Sequence, residues 1–128
     1  CAAGVACLKY YDDAKILDNV NASGKVLGEE LEALKSKYEI VGDVRYIGLF
    51  SAIELVRNRE TKAPLVEYGK DPAGIMKSII GKLKEKGFMT YSHENMILIC
   101  PPLIITPEQV KEEMAKVDEV IKEINGIY

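Results

Sequence analysis

The run Val41–Val56, VGDVRYIGLFSAIELV, constrains this chain more than any other stretch, because it is dense in β-branched and aromatic residues and long enough to cross a whole domain. Read as one strand, it puts Leu49, Ser51, Ile53 and Leu55 on one side and Phe50, Ala52, Glu54 and Val56 on the other. Both sides are largely apolar, so the strand is expected to be covered on both faces. Gly42-Asp43 ahead of it is a turn signal. Gly48 within it marks a bulge, or a point where another backbone comes close.

The remainder reads as helix and short strand. Residues from Cys1 to about Asp12 are helix-compatible and lack a starting cap, as if the helix were entered partway, and Asp12-Asp13 mark a weak break. Leu17, Val20, Gly24, Leu27, Leu31, Leu34 and Tyr38 then recur at alternating spacings of three and four, one apolar stripe on a long helix. Glycine in that stripe costs roughly 1 kcal/mol of helix propensity against alanine, which predicts a close contact at Gly24. The charged run Arg57–Lys62 reads as a solvated loop, and Pro64 ends any ladder there.

Asp71-Pro72 has the chemistry of a helix start, and Ile75, Met76, Ile79, Ile80 and Leu83 supply the apolar face behind it. Lys82, Lys84 and Lys86 suit the negative helix end, and Gly87 suits a left-handed cap. Phe88–Tyr91 and Met96–Cys100 are short apolar runs joined through Ser92-His93-Glu94-Asn95, a hairpin in length and composition. Thr106-Pro107-Glu108-Gln109 carries a capping box for a last helix whose apolar face is Val110, Met114, Val117, Ile121 and Ile124. Few strands, mostly joined by a hairpin, predict an α+β fold: a small, mainly antiparallel sheet with helices packed on it, preceded by a long helical segment.

At 128 residues the chain is long enough for one ordinary domain with its own core. A net charge of −3 gives no basic field for a phosphate backbone, which argues against nucleic-acid binding, and no apolar run approaches the length of a bilayer span. Cys1, Cys7 and Cys100 are odd in number and fit no metal spacing. They read as buried small hydrophobes in a reduced, cytoplasmic protein, with a reactive thiol as the alternative. The opening Cys-Ala-Ala-Gly-Val-Ala-Cys has neither an initiator methionine nor the features of a signal peptide, so the chain is expected to be cut from something longer.

Chemistry is sparse. There is no phosphate-cradling glycine loop, no metal-ligand cluster and no nucleophile beside a base, so catalytic, cofactor-binding and metal residues are all unassigned. His93 sits in a polar turn and reads as a surface residue. Glu54 reads as a strand carboxylate paired with Arg or Lys.

The segment IVGDVRYIGLFSAIELVRNRETKAP, a helix, and then KGFMTYSHENMILICPPLIITPEQV together resemble the C-terminal small domain of class III aminotransferases, pyridoxal-phosphate enzymes of fold type I. Three anchors occur in one order: GDVR-x-x-G-L, ELV with its charged loop, and PPLIIT before the last helix. The resemblance implies that residues 1–38 link to a large domain of the same polypeptide and that 39–128 are the small domain. It also implies that pyridoxal phosphate, its lysine and its phosphate site belong to that large domain, that the parent is a homodimer, and that this chain alone does not catalyse.

The small domain is then expected to form one wall of the substrate cleft. Many relatives carry an arginine for the substrate carboxylate at positions that fall on Tyr91 and Leu98, and neither residue offers a guanidinium fork. The parent is therefore expected either to hold its acid through another residue or to use an amine donor with a different acidic group, such as a sulfonate. Tyr91 and Arg45 are the substrate-cleft candidates, Arg45 also being placed to pair with Asp43 or Glu54. Two alternatives stand beside this reading: a free-standing regulatory domain that binds a small ligand, and a structural domain that dimerises.

Overall fold

The computed structural model describes residues 1–128. In chain order the elements are α1 (Ala2–Asp13), α2 (Ile16–Lys37), β1 (Val41–Ile47), β2 (Phe50–Asn58), β3 (Ala63–Pro64), α3 (Ile75–Glu85), β4 (Tyr91–His93), β5 (Met96–Ile99) and α4 (Pro107–Asn125). The sheet runs β1-β2-β5-β4, with β3 beside the end of β2, and every pairing is antiparallel. This is the expected α+β arrangement.

The long apolar run is not one strand. It folds back at Gly48-Leu49 into the β1–β2 hairpin, Ile47 facing Phe50 across a two-residue loop, with Gly48 at a φ of 55° that favours glycine. Gly48 serves the close approach foreseen for it. A Cβ on Gly24 of α2 would stand 2.8 Å from the carbonyl carbon and oxygen of Gly48, so helix and hairpin tip touch backbone to backbone. Gly42-Asp43 is a bulge rather than a turn: the pairing slips between Val41↔Leu55 and Asp43↔Glu54. Valine fills the space beside it, since a Cβ on Gly42 would lie 2.4 Å from Val56 Cγ1.

One sheet face is buried and the other is open, which corrects the expectation of cover on both sides. Val44, Ile53, Ile97 and Ile99 point inward against Leu27, Leu31 and Leu34 of α2, Ile79 and Leu83 of α3, and Val110, Met114, Val117 and Ile121 of α4. On the opposite face Phe50 is 60% and Ile47 77% exposed. The α2 stripe holds from Gly24 to Tyr38, but Leu17 lies outside it, 68% exposed. No residue of α1 is buried.

Local chemistry explains most boundaries. At the start of α4, Thr106 Oγ1 accepts from the Gln109 amide and Gln109 Oε1 accepts from the Thr106 amide, the reciprocal box foreseen. α3 begins later than Asp71-Pro72, at N-cap Gly74, yet the Asp71 carboxylate accepts from the amides of Ile75 and Met76 at 2.7 and 3.0 Å. Its other end closes on Gly87 at φ 83°, with the Phe88 amide donating to Leu83 O and the Gly87 amide to Lys84 O. Ion pairs join the helices: Lys37 of α2 meets Asp118 of α4, while Lys82 and Lys86, of α3 and its cap, meet Glu123 and Glu119.

Arg59 corrects the reading of the charged run as solvated. Its Nη2 lies 2.7 Å from the carbonyl oxygens of Lys35, Tyr38 and Val41, tying the end of α2 to the start of β1. Pro64 does end the ladder, as expected: it is the last residue of β3 and pairs opposite Val56 at an edge position that needs no amide. Asn95 behind the second hairpin is buried. Its side chain donates to Val66 O and accepts from Val66 N, anchoring the segment after β3. All three cysteines are exposed and unpaired, not buried as expected.

Candidate functional site

The open sheet face gathers the residues singled out in the sequence. The second hairpin turns at Glu94-Asn95, two residues later than a Ser92–Asn95 connection would imply, so Ser92 and His93 belong to β4 and Tyr91 faces Leu98. Leu98 in turn faces Ala52, and Ala52 faces Arg45. Residues directly opposed across antiparallel strands project to the same side. One row therefore crosses all four strands in the order Arg45, Ala52, Leu98, Tyr91, each strand roughly 4.8 Å from the next.

The neighbouring rows differ in character. On one side Glu54 and Met96 are opposed, and His93 stands beyond them. Arg45 turns toward this row: its guanidinium pairs with Glu54, and Nη2 lies 3.3 Å from Met96 Sδ. On the other side Ile47 faces Phe50, an exposed apolar end beside the hairpin loop. The face thus grades from charged to apolar, with the Tyr91 phenol, 63% exposed, at the β4 edge. A groove of about 540 Å³ runs past that edge between Tyr91, Ser92 and Glu94 and the start of α3 at Met76 and Lys77.

Arg45 is the guanidinium the open face offers. Arg59 is committed to three backbone carbonyls, and Arg57 donates to Leu65 O at 3.1 Å. No lysine is buried. A lysine that acts as a nucleophile needs its amine pushed toward the neutral form. Lys35, Lys37 and Lys82 are pushed the other way, each held in its charged form by a hydrogen bond from its amine to Asp43, Asp118 or Glu123. Asp43 is correspondingly held below the usual carboxylate range by the Lys35 amine, whose bond to Oδ1 is 2.8 Å. No three His, Cys, Asp or Glu side chains are grouped to hold a metal ion, and no helix is long and apolar enough to cross a membrane.

An apolar cavity of about 230 Å³ lies elsewhere, between Leu27, Phe88, Ile99, Pro102, Val110 and Met114. Its polar lining residues are engaged elsewhere, Thr90 with the Leu98 carbonyl and Glu113 with Lys116. The sheet face, not this cavity, is where polar and apolar groups converge.

The geometry matches known proteins over nearly its whole extent. The model of the family described as aminotransferase class-III matches residues 1–121. Taurine–pyruvate aminotransferase of Bilophila wadsworthia is 31% identical over 125 residues, 92% of this chain and 26% of that protein. Adenosylmethionine-8-amino-7-oxononanoate aminotransferase of Methanocaldococcus jannaschii is 37% identical over 123 residues, 96% of this chain and 26% of that protein. The crystal structure of taurine:2-oxoglutarate aminotransferase from Bifidobacterium kashiwanohense, in complex with PLP and glutamate, superposes with a TM-score of 0.93. Its identity is 40%, covering 98% of this chain and 28% of that one. The chain spans about a quarter of the length of the curated relatives it matches. Nothing in these likenesses supports the regulatory alternative. With a family model spanning nearly its whole length and a fold superposable on a solved member, the chain belongs to the class III aminotransferases.

Proposed function

We propose that this chain is the small domain of a pyridoxal-phosphate-dependent class III aminotransferase, and that its open sheet face forms one wall of the substrate cleft. The observation that carries this is the row Arg45, Ala52, Leu98, Tyr91 on the uncovered face of the sheet. In this reading residues 1–38 lead to a large domain of the same polypeptide, and 39–128 are the small domain. The parent is a cytoplasmic homodimer, for which three free thiols and the exposed apolar ends at Ile47, Phe50 and α1 are the support.

Pyridoxal phosphate, when bound, supplies the electron sink for bond breaking at the amine-bearing carbon. The residues of this chain do not form its holder: the lysines are exposed or half-buried, and those perturbed are stabilised as cations. We assign its anchoring to the large domain. What this chain contributes is shape and polarity: Leu98 and Phe50 exclude water, Tyr91 offers one hydrogen bond, and Arg45 with Glu54 sets the charge.

The donor we propose is an amine whose far end bears a sulfonate. Tyrosine and leucine at 91 and 98 give no bidentate carboxylate clamp, and the names of two similar proteins specify taurine. The test is amino transfer to pyruvate and to 2-oxoglutarate by the full-length polypeptide supplied with pyridoxal phosphate, with taurine, β-alanine and L-alanine as competing donors. Taurine should give the highest kcat/KM. Preference for L-alanine would refute the sulfonate assignment, and absence of transfer from all three would refute the aminotransferase reading.

A further inference from the structure

The apolar cavity of about 230 Å³ stands on the core side of the sheet, behind the hairpin that carries Tyr91 and Leu98. Chain on either side of that hairpin supplies two of its walls: Met89 and Thr90 lead into β4, and Ile99 and Cys100 lead out of β5. Its floor is Leu27 of α2 with Val110 and Met114 of α4, all buried in the main core, whereas Met89 and Cys100 are exposed. The core is thus reachable from solvent at this point. Size and polarity define the guest. Apolar cavities of roughly 150 Å³ take up benzene, so one of about 230 Å³ has room for a single ring with a short alkyl substituent. Neither Thr90 nor Glu113 is free to receive a charge, because the Thr90 hydroxyl donates to Leu98 O and the Glu113 carboxylate pairs with the Lys116 amine at 2.6 Å. A charged ligand would give up its hydration with nothing to replace it.

We propose that this cavity is a binding site for one small uncharged aromatic or aliphatic molecule, and that its occupation is felt on the open face of the sheet. Thr90 is the link. Its side chain lines the cavity, its hydroxyl holds the carbonyl of Leu98, and the next residue in the chain is Tyr91. A guest pressing on Thr90 and Ile99 moves both strands of the hairpin, since a close-packed interior transmits small displacements instead of absorbing them. The position of Tyr91 and Leu98, and with it the affinity for substrate, then depends on the guest. The coupling is reciprocal at equilibrium: substrate on the open face changes the affinity for the guest by the same factor. The binding site stands independently of the aminotransferase reading, and its effect on substrate rests on that reading.

The experiment uses the full-length polypeptide supplied with pyridoxal phosphate and isotopically labelled at its methionine methyl groups. Toluene is the probe, with benzoate and benzylammonium as charged counterparts built on the same ring. Toluene should shift the Met114 methyl resonance saturably, with a Kd on the order of 0.1–1 mM. Both charged counterparts should bind at least about tenfold more weakly. Val110→Phe fills the floor, and Cys100→Trp, at an exposed position, closes the mouth; each should abolish the shift. Saturating toluene should change KM for the preferred amine donor at least about twofold in the unsubstituted polypeptide and leave it unchanged in Cys100→Trp. A response that does not saturate or that persists in Cys100→Trp, equal affinity for benzoate, or a donor KM unmoved by bound toluene each overturns the proposal. So does the absence of any response, the result expected if another part of the polypeptide or a second copy seats over Met89 and Cys100. If Val110→Phe fails to fold, Cys100→Trp decides alone. Absence of amino transfer from every donor, with the Met114 shift intact, would refute the aminotransferase reading and leave the binding site standing.

Discussion

Replacing Gly24 with alanine sets two opposed effects against each other, and the structure says which wins. In an open helix the change gains about 1 kcal/mol of propensity. Here the new methyl would stand 2.8 Å from the carbonyl carbon and oxygen of Gly48 and 2.9 Å from its Cα, and those are backbone atoms that no rotamer change can move aside. Relief requires α2 and the hairpin tip to separate by several tenths of an ångström, an overpacking that costs roughly 1–3 kcal/mol and loosens the contact beneath Val20 as well. Set against the gain in propensity, this leaves a net loss centred near 1 kcal/mol, within a range of about 0–2 kcal/mol. Gly81 is the control. It is also helical, in α3, but nothing lies within 4 Å of its Cβ position, so Gly81→Ala should gain about 0.5–1 kcal/mol. For a chain of this size each kcal/mol moves Tm by roughly 3–5 °C. Thermal and urea unfolding of the 128-residue chain followed by circular dichroism should therefore place the two variants on opposite sides of the parent. A Gly24→Ala variant as stable as the parent, or more so, would refute the reasoning.

Arg59→Met should cost about 2–4 kcal/mol in urea unfolding, because three carbonyls lose a charged donor, and Arg59→Lys should recover only part of this. The Lys35–Asp43 pair gives a pH signature. Asp43 is held below its ordinary value of 3.8, so its stabilisation is present above that value and is lost as pH falls through the lower folded one. Asp43→Asn should accordingly flatten the acid side of the Tm–pH curve below about pH 4, by a small amount because the pair is exposed. Leu98→Arg in the full-length polypeptide should place a guanidinium opposite Tyr91 and lower KM for 2-oxoglutarate against pyruvate by about tenfold. An unchanged ratio would mean that this row does not face the substrate.

Features set by neighbours in sequence were legible before any coordinates. The capping box of Thr106 and Gln109, the left-handed cap at Gly87 and the apolar faces of α3 and α4 each depend on residues within a few positions, and each stands where the sequence placed it. The β1–β2 turn was hidden because a two-residue loop interrupts an apolar run so briefly that Gly48 reads equally well as a bulge. Arg59 was hidden for the opposite reason: its three acceptors lie 18 to 24 residues away, and only the packed fold brings them together. The exposed face of β2 read as buried because Phe50 and Ala52 are apolar. Composition says that a surface seeks cover, not whether the cover lies within the same segment of chain.

The candidate site divides in the same way. Tyr91 and Leu98 were singled out one by one through the family resemblance, whereas their opposition across β4 and β5 depends on the register of a hairpin whose turn is two residues shorter than composition suggested. The Arg45–Glu54 pair was foreseen as one of two choices, and the bulge at Gly42 explains the other. It carries Asp43 to Lys35 on α2 and leaves Glu54 to Arg45.

In the proposed function this chain works as one domain of a larger pyridoxal-phosphate enzyme. The most direct test is the intact mass and near-visible absorption of the native protein, captured from its source cells with an antibody against residues 39–128. A species several times the mass of this chain, yellow and bleached by taurine, is the predicted result. A colourless species at the mass of the 128-residue chain would contradict it.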